Sequence, residues 1–430
     1  MMKVNIFWFR RDLRLIDNTA LIQALKLNNV KPIFIFDSDI LNELEPNDSR
    51  LSFIHSLLKS INNKLNNHDS AVFCYHGKPI DVWRKIISEY EIGEVYWNKD
   101  YEPYSIKRDN EIKKILLEKN INVKTYKDQV IFEEHDVLKN DNNPYTVYTP
   151  YKNKWLYNLE QINKKEGFEI NNQINFNNFL KKTSSFPSLN DLGFTQSGIS
   201  VRPFNFEFLS NYESFRDYPH KDFTSYLSPH LRFGSISVRE CVNFALKTNS
   251  VFLSELIWRE FFMQILFHFP HVVDTSFKLK YDKIKWRNDP KEFEAWCNGA
   301  TGYPLVDAGM RQLNETGYMH NRVRMVTASF LVKHLLIDWR WGERYFAKKL
   351  LDFELSSNNG NWQWAAGTGC DSAPYFRIFN PIEQLKKFDS NLTYTKKWIA
   401  DFDEETYPSR IVDHKFARER CLSTYKEALN

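Results

Sequence analysis

Residues 302–380 read GYPLVDAGMRQLNETGYMHNRVRMVTASFLVKHLLIDWRWGERYFAKKLLDFELSSNNGNWQWAAGTGCDSAPYFRIFNP. Their pattern predicts the fold of the C-terminal half. Apolar residues recur there at helical spacing over 302–316, 319–337 and 341–353. The stretch contains four tryptophans, at positions 339, 341, 362 and 364. Because the N–H group of a buried tryptophan needs a partner, such a cluster beside charged residues indicates either a large aromatic core or a stacking and redox site.

Helical periodicity also covers residues 237–247 and 252–268, so the chain is helical from about residue 200 onward. Residues 135–200 are rich in polar and turn-forming residues. Four apolar or aromatic residues interrupt them: Tyr148, Tyr151, Trp155 and Leu156. This composition predicts a long connector on the surface.

The first 130 residues alternate between short apolar runs and amphipathic stretches. The runs predict strands at 4–9, 32–36, 71–75, 94–97 and 122–126. The intervening stretches predict helices at 18–28, 50–65, 79–90 and 105–119. Strict alternation of this kind is typical of a doubly wound parallel sheet. Neither a G-x-G-x-x-G motif nor a G-K-[ST] loop follows the first strand, so nothing marks this domain as a dinucleotide or triphosphate binder.

The sequence therefore predicts an α/β N-terminal domain with a Rossmann-like, doubly wound parallel sheet at residues 1–132. A connector follows at 133–199, and an all-α domain covers 200–430. A hydrophobic content of 42% and a charged content of 26% are those of a soluble globular protein. The net charge of +4 is too small to indicate nucleic-acid binding by itself.

The five cysteines are scattered without zinc-site spacing, which favours a reducing compartment. Charged residues interrupt the first apolar run, and no run reaches about 18 apolar residues. We therefore expect a cytoplasmic protein without a signal peptide, a membrane span or a metal site.

Several short patterns have two interpretations. Glu255, Trp258, Arg259 and Phe262 share one helix face, which predicts either a pocket for a flat ligand or a plain Glu255–Arg259 ion pair. The hydroxyl-rich residues 224–237 enter a helix whose first N–H groups bind either a phosphate or a capping side chain. The predicted N-caps are Asp17, Asp48 or Ser49, and Ser254. Residues 356–360 have the composition of a turn between helices.

Six longer motifs occur in order along the chain. They are FWFRRDLRLIDN (7–18), SPHLRFG (228–234), ELIWREFF (255–262), GYPLVDAGMRQL (302–313), MHNRVRM (319–325) and NNGNWQWAAGTG (358–369). Together they resemble the photolyase/cryptochrome family of flavoproteins, and in particular its class I cyclobutane pyrimidine dimer photolyases. The resemblance runs from about residue 4 to about residue 400.

The resemblance implies an FAD-binding helical domain. The residues that match its cofactor contacts are Tyr212, Thr224, Ser225, Tyr226, Leu227, Ser228, Arg259, Arg324, Asp352, Phe353, Glu354 and Asn358. Asn358 would face flavin N5, where plant-type cryptochromes have an aspartate, so it favours repair over signalling. Trp362, Trp339 and Trp286 match a chain of three tryptophans that carries electrons between the flavin and the surface.

The resemblance also implies a pocket for a flipped-out pyrimidine dimer. Trp258 and Trp364 would stack on the two joined bases, Glu255 would hydrogen-bond a base edge, and Met325 would form the pocket floor. The residues that match DNA contacts are Arg216, Glu255, Trp258, Arg259, Phe262, Asn321, Arg322, Trp364 and Gln384. We therefore expect a monomeric, light-driven DNA repair enzyme whose partner is UV-damaged DNA.

The antenna chromophore is the point at which this chain departs from the folate-binding members. Tyr104 and Ser105 stand where those members have an Asn-Glu pair, and Val273 and Asp274 replace a Cys-Lys pair. The second chromophore is therefore either methenyltetrahydrofolate or a deazaflavin or flavin.

Three alternative functions remain. A blue-light-sensing cryptochrome without repair activity would need a regulatory tail, for which little chain remains after residue 400. A (6-4) photolyase would need a histidine pair near MHNRVRM, where only His320 is present. A flavin-storage or DNA-binding protein without catalysis would leave Glu255, Met325 and Trp364 together unexplained.

Overall fold

The computed structural model describes residues 3–164 and 167–430. The strands are β1 (Lys3–Phe9), β2 (Val30–Asp37), β3 (Phe73–Gly77), β4 (Glu91–Asn98) and β5 (Asn122–Tyr126). The helices are α1 (Thr19–Ala24), α2 (Ser38–Leu41), α3 (Ser49–Asn66), α4 (Pro79–Glu89), α5 (Pro103–Glu118), α6 (Tyr148–Gln161), α7 (Tyr212–Phe215), α8 (Leu227–Phe233), α9 (Val238–Thr248), α10 (Ser250–His268), α11 (Pro290–Cys297), α12 (Pro304–Thr316), α13 (Asn321–Ser329), α14 (Trp339–Lys349), α15 (Leu355–Ala366), α16 (Pro381–Phe388), α17 (Thr393–Trp398) and α18 (His414–Leu429).

The chain divides into two compact units, each built from separate segments. The first unit contains Met1–Asp136, Leu159–Phe204 and Tyr226–Lys247, and the second contains Val137–Asn158, Asn205–Ser225 and Thr248–Asn430. The boundaries drawn from the sequence, after residues 132 and 199, remain a prediction. No helix within the described residues is both long and apolar enough to span a membrane.

The first unit contains a five-stranded sheet, which confirms the predicted parallel, doubly wound arrangement. Its strand order is β3-β2-β1-β4-β5, and every pair of neighbouring strands is parallel. Side chains alternate across β1, so that Phe7 and Phe9 join one apolar cluster and Ile6 and Trp8 join another. Burial of both faces explains why the strands are continuously apolar in sequence.

The predicted helix starts are corrected at two places. Asn18, and not Asp17, caps α1 by accepting a hydrogen bond from the Leu21 N–H, whereas the Asp17 carboxylate pairs with Arg239. Helix α10 begins at Ser250 with Asn249 as its cap, so Ser254 is not the N-cap. The predicted cap Asp48 is confirmed for α3. Only the fold decides which of two adjacent polar residues adopts the capping conformation.

The predicted turn at residues 356–360 is also wrong, because these residues belong to α15. The Glu354 carboxylate accepts hydrogen bonds from the backbone N–H groups of Ser356 and Ser357, at 3.2 and 2.9 Å. It also accepts from both serine hydroxyls, at 2.6 and 2.8 Å. A strong acidic cap therefore starts a helix in a segment whose composition is that of a turn.

The predicted helix at 319–337 is divided in the structure. Helix α13 ends at Ser329, and a π-helical turn follows at Phe330–His334. Such turns occur where side chains need a position that a regular helix does not give them. This turn places Lys333 in the interior, with 1% of its surface exposed.

Two close contacts fix the position of α15 in the second unit. A Cβ atom at Gly342 of α14 would overlap the Trp362 ring of α15 and the Leu331 side chain. A Cβ atom at Gly360 of α15 would overlap the Phe262 ring of α10. Aromatic side chains therefore fill the space above two glycines, and both neighbouring helices approach α15 closely.

We expect Gly342→Ala to lower the free energy of unfolding by about 1–3 kcal/mol, because the new methyl group overpacks the contact with Trp362. Urea titrations followed by circular dichroism measure this change. Gly198→Ala is the matched control, since a Cβ atom there has no heavy atom within 4 Å, and it should change stability by less than about 0.5 kcal/mol. Equal stabilities of the two variants would contradict the proposed contact.

A buried lysine in the first unit predicts a dependence of stability on pH. The Lys31 Nζ lies 3.2 Å from the Phe73 ring centroid and donates a hydrogen bond to the Tyr90 hydroxyl at 3.0 Å. Burial, followed by the charge of Lys182, lowers the pKa of Lys31 from 10.5 to about 7. The unfolded chain then binds more protons than the folded chain between these two pH values, so stability rises with pH there.

We expect the free energy of unfolding to increase from pH 7 to pH 9.5, and Lys31→Met to flatten this increase. Urea titrations at several pH values measure both slopes. Lys59→Met, at an exposed position of α3, should keep the native slope. A Lys31→Met slope equal to the native one would show that Lys31 does not cause the dependence.

Candidate active site

A partly buried ion pair joins α13 to the residues that precede α15. Arg324 forms two hydrogen bonds with the Asp352 carboxylate, at 3.2 and 2.9 Å. Its Nε donates to the Met319 carbonyl oxygen at 2.8 Å, which fixes the plane of the guanidinium. A bidentate pair of this kind is rigid and presents a fixed charge pattern to a neighbouring ligand.

Asn358 lies one turn into α15, where its backbone N–H donates to the Glu354 carbonyl oxygen at 2.9 Å. Its side-chain Nδ2 donates both to the Glu343 carbonyl oxygen, at 3.1 Å, and to the Glu343 carboxylate, at 2.7 Å. Two acceptors on one side of the amide orient it, so Oδ1 is the atom that it offers to another partner. Burial raises the pKa of Glu343, and the hydrogen bond from Asn358 opposes that increase.

Sequence reasoning missed Glu343. It lies on α14, and it is 15 positions away from Asn358. No spacing rule links these two helices, so only their packing brings the carboxylate to the amide.

The three predicted electron-transfer tryptophans differ in exposure. Trp362 and Trp339 are buried, whereas Trp286 is partly exposed. Within the described residues, the buried Trp339 Nε1 has no hydrogen-bond partner. Trp362 contacts the Trp296 ring edge-on, with 6.1 Å between their centroids, so Trp296 is an aromatic neighbour that sequence reasoning missed.

The predicted face of α10 carries an ion pair and a stacked indole. Glu255 pairs with Arg216, the residue that follows α7, with 2.7 Å between Oε1 and Nη1, and this places two predicted DNA-binding residues together. The Trp258 ring stacks on Tyr148, with 3.6 Å between their centroids and an angle of 8°. The Tyr148 hydroxyl donates to the Ser254 carbonyl oxygen at 2.7 Å. The sequence pattern identified Tyr148 only as an aromatic residue that interrupts the polar connector.

Two other residues of this face differ in their surroundings. Phe262 is buried in the contact with Gly360. Arg259 is half-buried on the same helix. Their contacts with DNA or cofactor remain predictions.

The N-terminal half of α13 carries three of the predicted pocket and DNA-contact residues. Asn321 is exposed, and Met325 lies one turn later with its sulfur 3.8 Å from Arg322 Nη1. The Arg322 guanidinium pairs with Asp217 at 2.6 Å and lies 4.5 Å from the Phe388 ring centroid. These contacts hold Arg322 in place and partly neutralise its charge.

His320 caps this helix, because its Nδ1 accepts from the Arg322 N–H at 3.2 Å. Burial lowers the pKa of His320 to about 4, so the ring is neutral at physiological pH.

Trp364 and Gln384 complete the predicted DNA-facing set, on α15 and α16 respectively. Both are partly buried, and within the described residues the buried Gln384 Oε1 has no hydrogen-bond partner. Phe353 packs against the apolar core of the second unit.

The predicted phosphate-binding segment is divided between the two units. In the second unit, the Arg216 guanidinium lies 5.0 Å from the Tyr212 ring centroid, and Thr224 and Ser225 are half-buried. The other three residues belong to the first unit. Tyr226 precedes α8 with a φ of 55°, and its side chain makes no capping hydrogen bond. Leu227 is buried, whereas Ser228 is exposed.

Two strongly exposed apolar side chains of the second unit were not predicted from the sequence. Phe376 and Leu279 expose 60% and 62% of their surfaces. Lys278, which precedes Leu279, forms hydrogen bonds with the segment that leads to Phe376. The Lys278 Nζ donates to the Ser372 hydroxyl at 3.1 Å, and its backbone N–H donates to the Thr368 carbonyl oxygen at 3.0 Å. Exposed apolar side chains beside basic residues are typical of surfaces that contact nucleic-acid bases.

In the first unit, the carboxyl ends of β1 and β4 meet at the topological switch point of the sheet, where ligands of such sheets bind. Arg10 lies over the Trp8 ring there, with 5.2 Å to its centroid. The Tyr104 hydroxyl donates to the Asp37 carboxylate at 2.6 Å, and Ser105 is buried. Of the two residues that depart from the folate pattern, Tyr104 thus has a structural hydrogen bond and Ser105 lies in the interior.

The second unit fits the flavin that the resemblance implies. A flavin has an edge of alternating N–H and carbonyl groups, which needs fixed donors and acceptors. The Arg324–Asp352 pair and the oriented Asn358 amide supply such groups on α13, before α15 and within α15.

Comparisons with known proteins agree with this geometry. A family model described as DNA photolyase matches residues 5–167, and one described as the FAD binding domain of DNA photolyase matches residues 252–406. A deoxyribodipyrimidine photo-lyase of Vibrio cholerae is 35% identical, and the alignment covers 99% of this chain and 100% of that relative.

Two solved structures are similar over almost their whole lengths. A bacterial class III photolyase from Agrobacterium tumefaciens has a TM-score of 0.87 and 33% identity, over 100% of this chain and 98% of the other. An archaeal photolyase from Sulfolobus tokodaii, solved with two FAD molecules, has a TM-score of 0.84 and 34% identity, over 98% and 99% of the two chains. Assignment to class I remains a prediction. The chain itself belongs to the DNA photolyase family.

Proposed function

We propose that this protein is a light-driven DNA repair enzyme that splits cyclobutane pyrimidine dimers in UV-damaged DNA. One observation carries the proposal. Helix α15, which bears the oriented Asn358, packs directly on α10, which bears Glu255 and Trp258, through the Gly360–Phe262 contact. A cofactor-facing helix and a lesion-facing helix are therefore in contact. The name of the Vibrio cholerae relative supports the same activity.

Reduced FAD, when bound and excited by blue light, supplies the electron that opens the cyclobutane ring. Arg324, Asp352 and Asn358 would hold its ring system, and Tyr212, Thr224 and Ser225 of the same unit would contact its diphosphate and adenosine. Glu354 acts through α15, because its carboxylate caps the helix that carries Asn358.

Asn358 would present an acceptor to an N–H group of the ring. Glu343 receives both N–H groups of the amide, so rotation of the amide would break two hydrogen bonds. This arrangement favours a protonated ring nitrogen and excludes a strong acid from the site. An aspartate at this position would supply an acid, so the amide favours repair over the cryptochrome alternative.

Glu255 and Trp258 would receive the flipped-out lesion together with Trp364, Asn321 and Met325. Tyr148 supports one face of the Trp258 ring, so the indole is already oriented for stacking. A carboxyl group at Glu255 would hydrogen-bond a base edge and would stabilise charge that develops there. Arg216 fixes the direction of that carboxyl group before DNA binds.

The DNA backbone would contact Arg216, Arg322 and Gln384 around this pocket. Phe376 and Leu279 would also contact the DNA, because exposed apolar side chains can fill the space that a flipped base leaves. Asp217 already pairs with Arg322, so the phosphate contact of Arg322 competes with an ion pair. Phosphate contacts position the protein, and the lesion pocket provides selectivity.

A second chromophore in the first unit would collect light for the FAD. The solved Sulfolobus tokodaii photolyase contains two FAD molecules, which supports a flavin as one candidate. Tyr104 and Ser105 weaken the folate alternative, since both are engaged in local structure. The cytoplasmic location and the monomeric state also remain predictions.

The decisive experiment uses protein reduced chemically after FAD loading. Under blue light, it should restore thymines from a cyclobutane dimer in an oligonucleotide, and in darkness it should bind the dimer without change. Chromatography of the nucleotides measures the product. Protein that binds the dimer and FAD but never splits the dimer under light would favour the cryptochrome alternative.

Glu255→Ala should lower the repair yield more than the affinity for the lesion, because the hydrogen bond strengthens as charge develops and Arg216 becomes available to phosphates. Trp258→Ala should instead weaken lesion binding by about 1–3 kcal/mol, the value of one stacking contact. Fluorescence anisotropy and single-turnover repair separate the two effects. Glu213→Gln, at an exposed position of α7, is the control and should change neither quantity.

Trp286→Phe should block photoreduction of oxidised FAD and leave repair by previously reduced enzyme intact. The reason is that Trp286 is the partly exposed member of the three proposed electron-transfer tryptophans. Absorption spectra during illumination with an external thiol measure photoreduction. Trp341→Phe, at another partly buried tryptophan, should leave it unchanged. Normal photoreduction in Trp286→Phe would contradict the role of Trp286 and would make Trp296, the ring next to Trp362, the next candidate for electron transfer.

A further inference from the structure

Lys333 is a cation in the interior of the second unit. Its Nζ donates to the carbonyl oxygens of Ala366 and Tyr375, at 2.7 and 3.3 Å. The same atom lies 3.9 Å from the centroid of the Tyr425 ring. Among the residues that the structure describes, no carboxylate forms an ion pair with it. An amine in this position is unusual, because burial of a charge without a counter-ion is unfavourable.

Three features offset the burial of this charge. Ala366 is the last residue of α15, so its carbonyl group lies at the negative end of the helix dipole. A second carbonyl group and an aromatic face complete the surroundings. Burial lowers the pKa of Lys333 to about 8, so the amine is still mostly protonated at pH 7.

The ring below this cation connects to the proposed electron-transfer chain. Tyr425 is fully buried and meets Trp286 edge-on, with 6.0 Å between their centroids and an angle of 89°. On its other sides it stacks on Tyr375, at 5.8 Å and 9°, and approaches Tyr281 at 6.3 Å. These tyrosines form a continuous group of rings that leads away from Trp286.

We propose that the Lys333 ammonium confines the oxidised state to Trp286 by preventing electron transfer from Tyr425 to the Trp286 radical. This inference rests on the proposed place of Trp286 as the outer tryptophan. In the transfer that is prevented, one electron would leave Tyr425 and reduce the Trp286 radical. The phenol proton would then leave for solvent, and a neutral tyrosyl radical would remain.

The surroundings of the phenol make the electron leave before the proton. The Tyr425 hydroxyl donates to the Ala366 carbonyl oxygen at 2.8 Å, and a backbone carbonyl is not a base that accepts the proton. Lys333 donates to the same oxygen and, when protonated, cannot accept the proton either. The ring would therefore carry a positive charge 3.9 Å from the ammonium. At an effective dielectric constant of about 20, this repulsion disfavours the step by at most on the order of 10³-fold, because the ammonium also repels the charge while it lies on Trp286.

Confinement to Trp286 has a functional consequence. Trp286 is partly exposed, so its radical can release a proton to water and can be reduced by an external donor. A radical on Tyr425 would lie in the interior, beyond the reach of such donors. Lys333 would thus keep the outer end of the electron-transfer chain available for re-reduction.

The test uses the full-length protein without FAD, so that it does not depend on photochemistry. Azide radicals generated by pulse radiolysis oxidise tryptophans, and the tryptophanyl and tyrosyl absorption bands are followed in time. Lys333→Gln removes the charge and keeps an N–H donor, whereas Lys333→Arg keeps the charge as the matched control. Tyr425→Phe is combined with each variant, so that only the tyrosyl band that depends on Tyr425 is counted.

We expect this Tyr425-dependent band to be absent at pH 7 from the native protein and from Lys333→Arg, and to appear in Lys333→Gln. Adding Trp286→Phe to Lys333→Gln should remove it. A purely structural role for Lys333 would not change the identity of the radical. The same Tyr425-dependent band in native protein and in Lys333→Gln would overturn the proposal.

If Lys333→Gln does not fold, the comparison of native protein with Tyr425→Phe still decides the question. A tyrosyl band in native protein that Tyr425→Phe abolishes would overturn the proposal, and its absence would support it. Illumination of FAD-loaded protein with electron paramagnetic resonance detection is a separate arm. Failure of photoreduction in every variant, with the expected radiolysis result, would count against the proposed flavin chemistry and not against the role of Lys333.

Discussion

The close packing of α15 against α10 and α14 is the constraint on which the rest of the second unit depends. Gly360 and Gly342 leave no room for a Cβ atom, and the rings of Phe262 and Trp362 fill the space. Because protein interiors are packed as densely as organic crystals, these contacts fix the position and rotation of α15. The side chains of α15 therefore point in fixed directions, which is what a site for electron transfer requires.

Charge stabilises both ends of the same helix. The Glu354 carboxylate accepts four hydrogen bonds at the N-terminus, and the Lys333 ammonium donates to the last carbonyl group at the C-terminus. Each charge has the sign that the helix dipole favours at that end. An otherwise unfavourable sequence of serines, asparagines and glycine is helical because its two termini are held in this way.

This arrangement links the two halves of the proposed chemistry. Asn358, Trp362 and Trp364 are on one helix, so the proposed cofactor contact, the first electron-transfer tryptophan and a lesion contact share one rigid support. Glu343 and Lys333 act on that support from neighbouring elements, the first by orienting an amide and the second by placing a charge over a ring. Neither residue needs to touch DNA to affect what the proposed site does.

Apolar periodicity and long ordered motifs are local properties of the chain, and they were enough to predict the parallel doubly wound sheet, the helical second half and the family. It also placed Glu255, Trp258, Arg259 and Phe262 on one helix face. It failed where two conformations had similar local propensities, as at Asp17 and Asn18 or in residues 356–360, since a cap selects one of them only in the folded chain. The partners of the candidate site residues depend instead on how the chain folds. Arg216 reaches Glu255, Tyr148 reaches Trp258, and Glu343 reaches Asn358. These contacts join residues that are far apart in sequence, and packing alone determines which of them meet.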